Sequence, residues 1–293
     1  MKKAFHYLII LSALFFYSCN DVVQIKLDEG SKLIVIDAFV NDLREKQKIR
    51  VITSDNYFSN RAAPPVTNAT VILKDLTSGQ QYNFTYETDG YYTYAINAAD
   101  TIAKINHSYV LNVSIDGYTY YSSCSQKRTA VLDTILAQQD NGGGFGPPSK
   151  DSSYSCLLFA RDKADNNPDY YWIKTFRNDT LFNGSADINI CIDGTGGVAT
   201  DAPQDTIMFT PPATLLSFKT YKKFESCKVQ IHSLSRENYF FFIQALAQIN
   251  NGGLFATTPE NVKTNIITPE GAKIKAIGRF NMASVVEQKI IVK

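Results

Sequence analysis

Short segments that alternate apolar and polar residues, separated by turn signals at regular intervals, constrain this chain more than any other feature. Residues 81–86 and 109–115 alternate in this way, as expected of strands, whose side chains point alternately to opposite faces. Asp89-Gly90 and Asp116-Gly117 are typical of tight turns between two strands. Such strands at this spacing predict an all-β sandwich, which suits a chain with 17 Tyr and 18 Phe.

The second half keeps the strand pattern but contains one helical stretch. Over residues 235–249, apolar side chains recur at steps of three and four, which predicts one buried face of a helix. Ser235 can cap its start, and Asn251-Gly252 can end it. The side chains expected on this face are Tyr239, Phe242, Ile243, Leu246 and Ile249. The predicted fold is mostly β, with an immunoglobulin-like β-sandwich over residues 31–130 and a second β-rich domain over residues 131–293 that carries this helix.

The first residues indicate export. Lys2 and Lys3 precede an almost wholly apolar run over residues 7–16, which predicts a signal peptide over residues 1–18. The run is shorter than the ~20 residues that a membrane-spanning helix needs. Cys19 follows Ser18 in a pattern that resembles a bacterial lipobox of the looser form seen in Bacteroidetes. The resemblance implies that the mature chain begins at Cys19, carries lipid there and continues through a tether over residues 19–30.

The charge balance is close to neutral. Removing residues 1–18 removes two lysines and leaves 27 basic and 28 acidic residues, a net charge of −1. This balance does not favour nucleic acid as a partner.

Four cysteines remain in the mature chain beside Cys19. An even number in an exported protein permits two disulfides, although buried free thiols are equally compatible with these positions. A bridge between Cys191 and Cys227 would close a loop within the second domain, and it is the favoured pair. No C-x-x-C spacing is present, so a zinc site is not expected.

The sequence offers little material for catalysis or for a cofactor. His107 and His232 are the histidines of the mature chain, and neither has a nucleophile or further ligands at a spacing that would build a triad or a zinc site. The oxygen-rich residues 162–169 read as a polar hairpin, because they lack the glycine and the closing glutamate of a calcium loop. We therefore expect a non-enzymatic protein without a metal or cofactor.

Two resemblances to known families add to this interpretation. Residues 64–71, 89–92 and 107–111 resemble the β-sandwich of carboxypeptidase-regulatory-like domains, which implies a fold and no reaction. Residues 33–40, 169–173, 235–239, 261–266 and 278–280, behind a lipobox, resemble in order and spacing the Bacteroidetes family of domain of unknown function 4249. That resemblance implies an outer-membrane lipoprotein, often encoded beside a TonB-dependent receptor.

The partner surface is predicted from the aromatic residues of the first domain. Alternation along the strands implies that some of their rings point outward, where aromatic side chains commonly anchor contacts. The candidates are Tyr92, Tyr94, Tyr118 and Tyr120. The predicted function is an accessory subunit of a TonB-dependent transporter at the outer membrane, and the alternative is a surface adhesin or glycan-binding module.

Overall fold

The computed structural model describes residues 30–55, 59, 61–96, 102–139, 153–162, 168–192, 219–252, 257–258 and 262–293. These residues are mostly β with a single α-helix, which confirms the predicted fold class. The predicted signal peptide and Cys19 lie outside the described residues. Among the residues described, none forms a helix that could span a bilayer.

The described elements are fifteen strands, one short 3-10 turn and helix α1. In chain order they are β1 (Ile34–Asn41), β2 (Gln47–Thr53), β3 (Thr70–Asp75), β4 (Gln81–Thr88), β5 (Tyr91–Tyr94), β6 (Ser108–Ile115), β7 (Tyr118–Ser125), β8 (Val131–Gln139), β9 (Tyr154–Arg161), β10 (Tyr170–Arg177), β11 (Thr180–Leu181), the 3-10 turn (Ser185–Asp187), β12 (Asn189–Ile192), β13 (Ser226–Leu234), α1 (Arg236–Ile249), β14 (Ala276–Ala283) and β15 (Val285–Ile291).

Eight strands form the larger sheet, in the order β14-β1-β2-β5-β4-β3-β6-β7. Its register shifts between Tyr86 and Thr88 on β4, an irregularity of the kind that bends a strand. Side chains from both halves of the sheet then meet in one buried cluster, for example Ile36 and Ile49 with Leu111. This arrangement is consistent with the predicted sandwich.

Both predicted hairpin turns are confirmed. Asp89 and Gly90 have φ values of 50° and 82°, and Asp116 and Gly117 have φ values of 50° and 85°. Positive φ at both central residues is the signature of the turn that matches the twist of two antiparallel strands.

The last strand of the larger sheet comes from the far end of the chain. Strand β14 pairs in parallel with β1, from Ile34 opposite Ala276 to Asn41 opposite Ala283. The approach is close at Gly278, where φ is 124° and a Cβ would overlap the carbonyl oxygen of Ile36. The larger sheet therefore extends beyond residues 31–130, and residues Lys32–Lys293 form one compact unit. The domain boundary at residue 130 stays a prediction.

A five-stranded sheet carries a second core. Its order is β11-β10-β13-β15, with β12 also paired to β10. The β8–β9 hairpin contributes Ile135 and Leu158 to the same buried cluster as Ile173, Val229 and Ile231 of this sheet.

Helix α1 starts where the sequence predicts, but it buries a narrower face. The Ser235 hydroxyl accepts a hydrogen bond from the Asn238 N–H at 3.2 Å, which caps the helix. Phe242 is buried, whereas Ile243 is 42% and Ile249 is 53% exposed, so the prediction that both face inward is wrong. Ile243 is turned about 100° from Phe242 around the helix axis. Ile249 lies about 10 Å beyond Phe242 along that axis.

We expect Phe242→Ala to lower the free energy of unfolding by about 3–5 kcal/mol, since the substitution removes a buried ring. Ile243→Ala is the matched control on the same helix turn, and we expect it to cost less than about 0.5 kcal/mol because this side chain is exposed. Urea unfolding of both variants measures the difference. Equal effects would contradict the orientation of α1.

Candidate binding site at helix α1

Arg279 on β14 lies among four aromatic rings from three other elements. Its guanidinium carbon is 4.4 Å from the ring centroid of Phe242 and 5.5 Å from that of Phe241, both on α1. It is also 5.2 Å from the ring of Phe39 on β1 and 5.3 Å from that of Trp172 on β10. We call these five side chains the Arg279 cluster. It joins the larger sheet, the five-stranded sheet and the helix.

The parallel pairing of β1 with β14 explains where Arg279 points. Asp37 lies directly opposite Arg279 in the register, and the Arg279 Nε–H donates to Asp37 Oδ1 at 2.9 Å. Phe39 follows Asp37 by two residues and therefore leaves the sheet on the same side. Only 13% of the Arg279 side chain is exposed, so the carboxylate and the rings replace most of its hydration.

Lys174 on β10 places a second cation against the same rings. Its Nζ is 4.1 Å from the Trp172 ring centroid and 5.1 Å from that of Phe39. Burial, and then the charge of Arg279, lower the pKa of Lys174 from 10.5 to about 8. Two cations therefore share one aromatic cluster, with the Asp37 carboxylate paired to Arg279.

His232 belongs to the packing of this region. It is buried, its ring lies 5.7 Å from that of Phe39, and its Nε2 is 3.0 Å from Gln230 Oε1. Burial, and then the nearby charge of Lys174, hold the pKa of His232 well below its usual range. The ring is consequently neutral at pH 7 and donates from Nε2 to Gln230.

Side chains from distant parts of the sequence hold the backbone of β14 beside the helix. Asn238 Nδ2 donates to the carbonyl oxygen of Phe280 at 2.8 Å. Asn265 donates to the same oxygen at 2.8 Å and accepts the Phe280 N–H at 2.8 Å. Thr264 Oγ1 donates to the carbonyl oxygen of Gly278 at 2.8 Å, and Asn281 Oδ1 accepts the N–H of Ser235, the cap of α1.

These hydrogen bonds bring together three of the stretches on which the second family resemblance rests, and the ring contacts of Arg279 add Phe39 and Trp172 from the other two. Sequence reasoning did not identify Arg279, Phe39 or Lys174 as site residues. A partial signal exists, because Phe39, Trp172 and Arg279 fall within the stretches 33–40, 169–173 and 278–280 that carry the family resemblance. Nothing in a single sequence indicated that those segments meet at one place.

A cavity of about 380 Å³ opens beside this assembly, between α1, residues 263–265 and Arg279. We call it the α1 cavity. Its lining combines the aromatic residues Phe240 and Phe241, the amide residues Asn238, Gln244 and Asn265, and the charged residues Arg236, Glu237, Lys263 and Arg279, together with Thr264. Its volume falls within the range of small-molecule sites, about 300–1,000 Å³.

His107 and its partner Asp75 close a turn. His107 Nδ1 is 2.7 Å from Asp75 Oδ2, and the same carboxylate accepts the Thr77 N–H at 2.9 Å and the Ser78 hydroxyl at 2.6 Å. Burial alone would raise the pKa of Asp75, but the hydrogen bonds from Ser78 and His107 hold it at about 2. The Asp75 carboxylate is thus committed to the β3–β4 turn.

The oxygen-rich stretch is held by an arginine where the structure describes it. Arg128 Nη1 is 3.1 Å from Asp162, and Arg128 Nη2 is 2.7 Å from Asp169. Residues 163–167 lie outside the described part of the chain. Within the described ranges, no group of three or more His, Cys, Asp or Glu side chains could hold a metal ion.

The predicted tyrosine surface needs correction, because two of its four rings point inward. Tyr92 is 1% and Tyr120 is 2% exposed. The Tyr92 hydroxyl donates to Val66 O at 2.9 Å, and the Tyr120 hydroxyl donates to Ile274 O at 2.8 Å. Tyr94 and Tyr118 are half-buried against the first core. Alternation predicts that neighbouring residues face opposite sides, but it does not tell which of them faces the core.

The predicted bridge between Cys191 and Cys227 is also absent, since both are free thiols. Cys191 lies opposite Tyr171 and Cys227 lies opposite Arg177, six residues further along β10. That separation is about 20 Å, whereas a disulfide requires Cα atoms within about 7 Å. The thiols of Cys156 and Cys227 share a hydrogen bond inside the second core instead.

The pKa of Lys174 predicts how stability depends on pH. Because this pKa is lower in the folded protein, the unfolded chain binds more protons between pH 8 and about 10, and stability rises with pH through this group. We expect wild type to gain stability relative to Lys174→Met from pH 8 to pH 10, as measured by urea unfolding. A difference that stays constant with pH would show that Lys174 titrates normally.

Comparison with known proteins identifies the family. The family described as "Domain of unknown function (DUF4249)" matches residues 20–289. Searches of curated proteins and of solved structures found no match. The matched range includes α1, β14 and every residue of the Arg279 cluster. The chain therefore belongs to the DUF4249 family.

Proposed function

We propose that this chain is a non-enzymatic outer-membrane lipoprotein, anchored through Cys19, which acts as an accessory subunit of a TonB-dependent transporter. Family membership supports the proposal, because the resemblance to this family implies a lipoprotein encoded beside such a receptor. A Bacteroidetes origin and an immunoglobulin-like N-terminal sandwich belong to the same proposal. An accessory subunit of this kind needs a stable contact surface more than it needs a reactive centre.

The outer face of α1 is the observation that carries the proposal. Arg236, Phe240, Ile243 and Ala247 follow one another at steps of four and three and are all exposed. Phe240 is 41% and Ile243 is 42% exposed, although the outer face of a surface helix is usually polar. Aromatic and arginine side chains are the commonest anchors of protein interfaces. The Arg236 guanidinium carbon lies 4.8 Å from the Phe240 ring centroid, so the two present one combined anchor.

The inner face of the helix holds this anchor in place. Phe242 packs against Trp172 with ring centroids 4.8 Å apart, and Tyr239 packs against Tyr170 at 4.9 Å. A surface that is already ordered loses less conformational entropy on binding. The α1 face therefore replaces the tyrosine surface as our candidate for receptor contact.

A surface adhesin or glycan-binding module is the second candidate, and the α1 cavity favours it. Aromatic rings beside several amide groups offer an apolar face together with hydrogen-bond donors and acceptors. If ligands bind in the α1 cavity and no receptor binds the outer face of α1, the adhesin or glycan-binding function replaces the accessory role.

We expect the neighbouring TonB-dependent receptor to co-purify with the wild-type protein from detergent-solubilised outer membrane. The double variant Phe240→Ser/Ile243→Ser should weaken that association by about tenfold or more, because it removes two interface anchors. The control Leu76→Ser/Ile105→Ser removes two side chains that are 53% and 49% exposed elsewhere, and it should retain binding.

Melting curves of both variants establish that the fold is intact. Full association by the α1 variant would show that this face is not the contact surface. If no receptor co-purifies with the wild-type protein, the accessory role fails and the adhesin or glycan-binding hypothesis takes its place.

A further inference from the structure

Two cysteines face each other in the second core. Cys156 on β9 is buried, as is Leu158 two residues further on, and on β13 Cys227 and Val229 are buried in the same way. Side chains on one face of a strand recur at every second position. Both thiols therefore point into the cluster that the β8–β9 hairpin shares with the five-stranded sheet, where they are close enough to share a hydrogen bond.

The backbone ties the two strands together beside this contact. Tyr154 lies two residues before Cys156, and its N–H donates to the carbonyl oxygen of Tyr221 at 2.9 Å. In return, the Tyr221 N–H donates to the carbonyl oxygen of Tyr154 at 2.8 Å. Tyr221 leads through residues 222–225 into β13, and its ring belongs to the same buried cluster. The start of β9 is therefore held next to the start of β13, where Cys227 lies.

The two remaining cysteines of the described chain lie elsewhere. Cys124 is in the first core, where its Sγ accepts the Met282 N–H at 3.5 Å. Cys191 is on β12, opposite Tyr171. A bond between Cys156 and Cys227 would leave both of them as thiols.

We propose that Cys156 and Cys227 form a disulfide when the chain folds in the presence of a small disulfide oxidant, such as oxidised glutathione. In the structure both are thiols, and the bond brings the two sulfurs to about 2.05 Å. It ties the β8–β9 hairpin to the five-stranded sheet and closes a loop over residues 156–227, which restricts the unfolded chain. The proposal rests on the proposed function for the compartment alone, because an exported chain meets oxidising conditions.

The bond forms through two thiol–disulfide exchanges. The thiolate of one cysteine attacks a sulfur of the oxidant, breaks its S–S bond and releases one thiolate. The thiolate of the other cysteine then attacks the mixed disulfide and releases the second. Two electrons pass from the cysteine pair to the oxidant, which leaves as two thiols after it takes up the two protons that the cysteines lose. Since both sulfurs are buried once the core has formed, the exchange takes place during folding.

Non-reducing peptide mapping of the full chain tests the bond. One sample is purified from the cells that make the protein, with an alkylating reagent present throughout. A second sample is reduced, unfolded and refolded with oxidised and reduced glutathione before it is alkylated. We expect a linked Cys156–Cys227 peptide pair in both samples, with Cys124 and Cys191 alkylated.

The two samples separate this proposal from the proposed function. Alkylation of both Cys156 and Cys227 in the refolded sample, or a bond from either of them to another cysteine, would overturn the proposal. A linked pair after refolding, together with two alkylated thiols in the cellular sample, would support the pairing and contradict export to an oxidising compartment.

Melting curves measure what the bond does. We expect the chain refolded with glutathione to melt about 5–15 °C higher than the chain refolded with a reductant. Cys124→Ala is the matched control, because it removes a buried thiol from the other core and should keep this difference. Cys156→Ala should lose it. Equal melting temperatures of the wild type under both conditions would overturn the claim that a bond ties the hairpin to the sheet.

Discussion

The contact of one arginine with four aromatic rings is the interaction on which the functional part of this molecule depends. A guanidinium loses most of its hydration when only 13% of its side chain stays exposed, and Arg279 recovers that loss from the rings and from Asp37. Cation–π contacts stabilise by about 0.5–1 kcal/mol at exposed sites and by about 2 kcal/mol when desolvated. Because the rings belong to β1, β10 and α1, the gain is available only when both sheets and the helix are assembled.

That assembly determines what the surface can present. Phe241 and Phe242 face Arg279, and the helix consequently turns Phe240 and Ile243 outward, where they form the stripe proposed to contact a receptor. The same arginine lines the α1 cavity beside Asn238. The packing of α1 against Arg279 therefore positions both the outer face of the helix and the α1 cavity. A change in the cluster would affect both, whereas the exposed Lys263 lines the cavity without belonging to the cluster.

Local patterns in the sequence predicted much of the fold. Alternation and the Asp-Gly turns located the strands of the larger sheet, and the step of three and four located α1 with Ser235 as its cap. Strand β8 was missed because apolar and polar residues do not alternate along Val131–Gln139. The pairing of β14 with β1 could not be foreseen, since strand partners more than 200 residues apart leave no local pattern. The same limit applies to the candidate site. Tyr120 is buried and its neighbour Tyr121 is 41% exposed, and this choice, like the meeting of Arg279 with Trp172, depends on tertiary contacts.

The most direct test of this account is a double-mutant cycle between Arg279 and Trp172, which belong to different sheets. Arg279→Met keeps the length of the stem and removes the charge, while Trp172→Leu keeps an apolar side chain and removes the ring. Urea unfolding of the wild type, the two single variants and the double variant gives the coupling free energy. The account predicts a favourable coupling of about 1 kcal/mol or more. Effects that add to within about 0.3 kcal/mol would show that Arg279 does not join the two sheets.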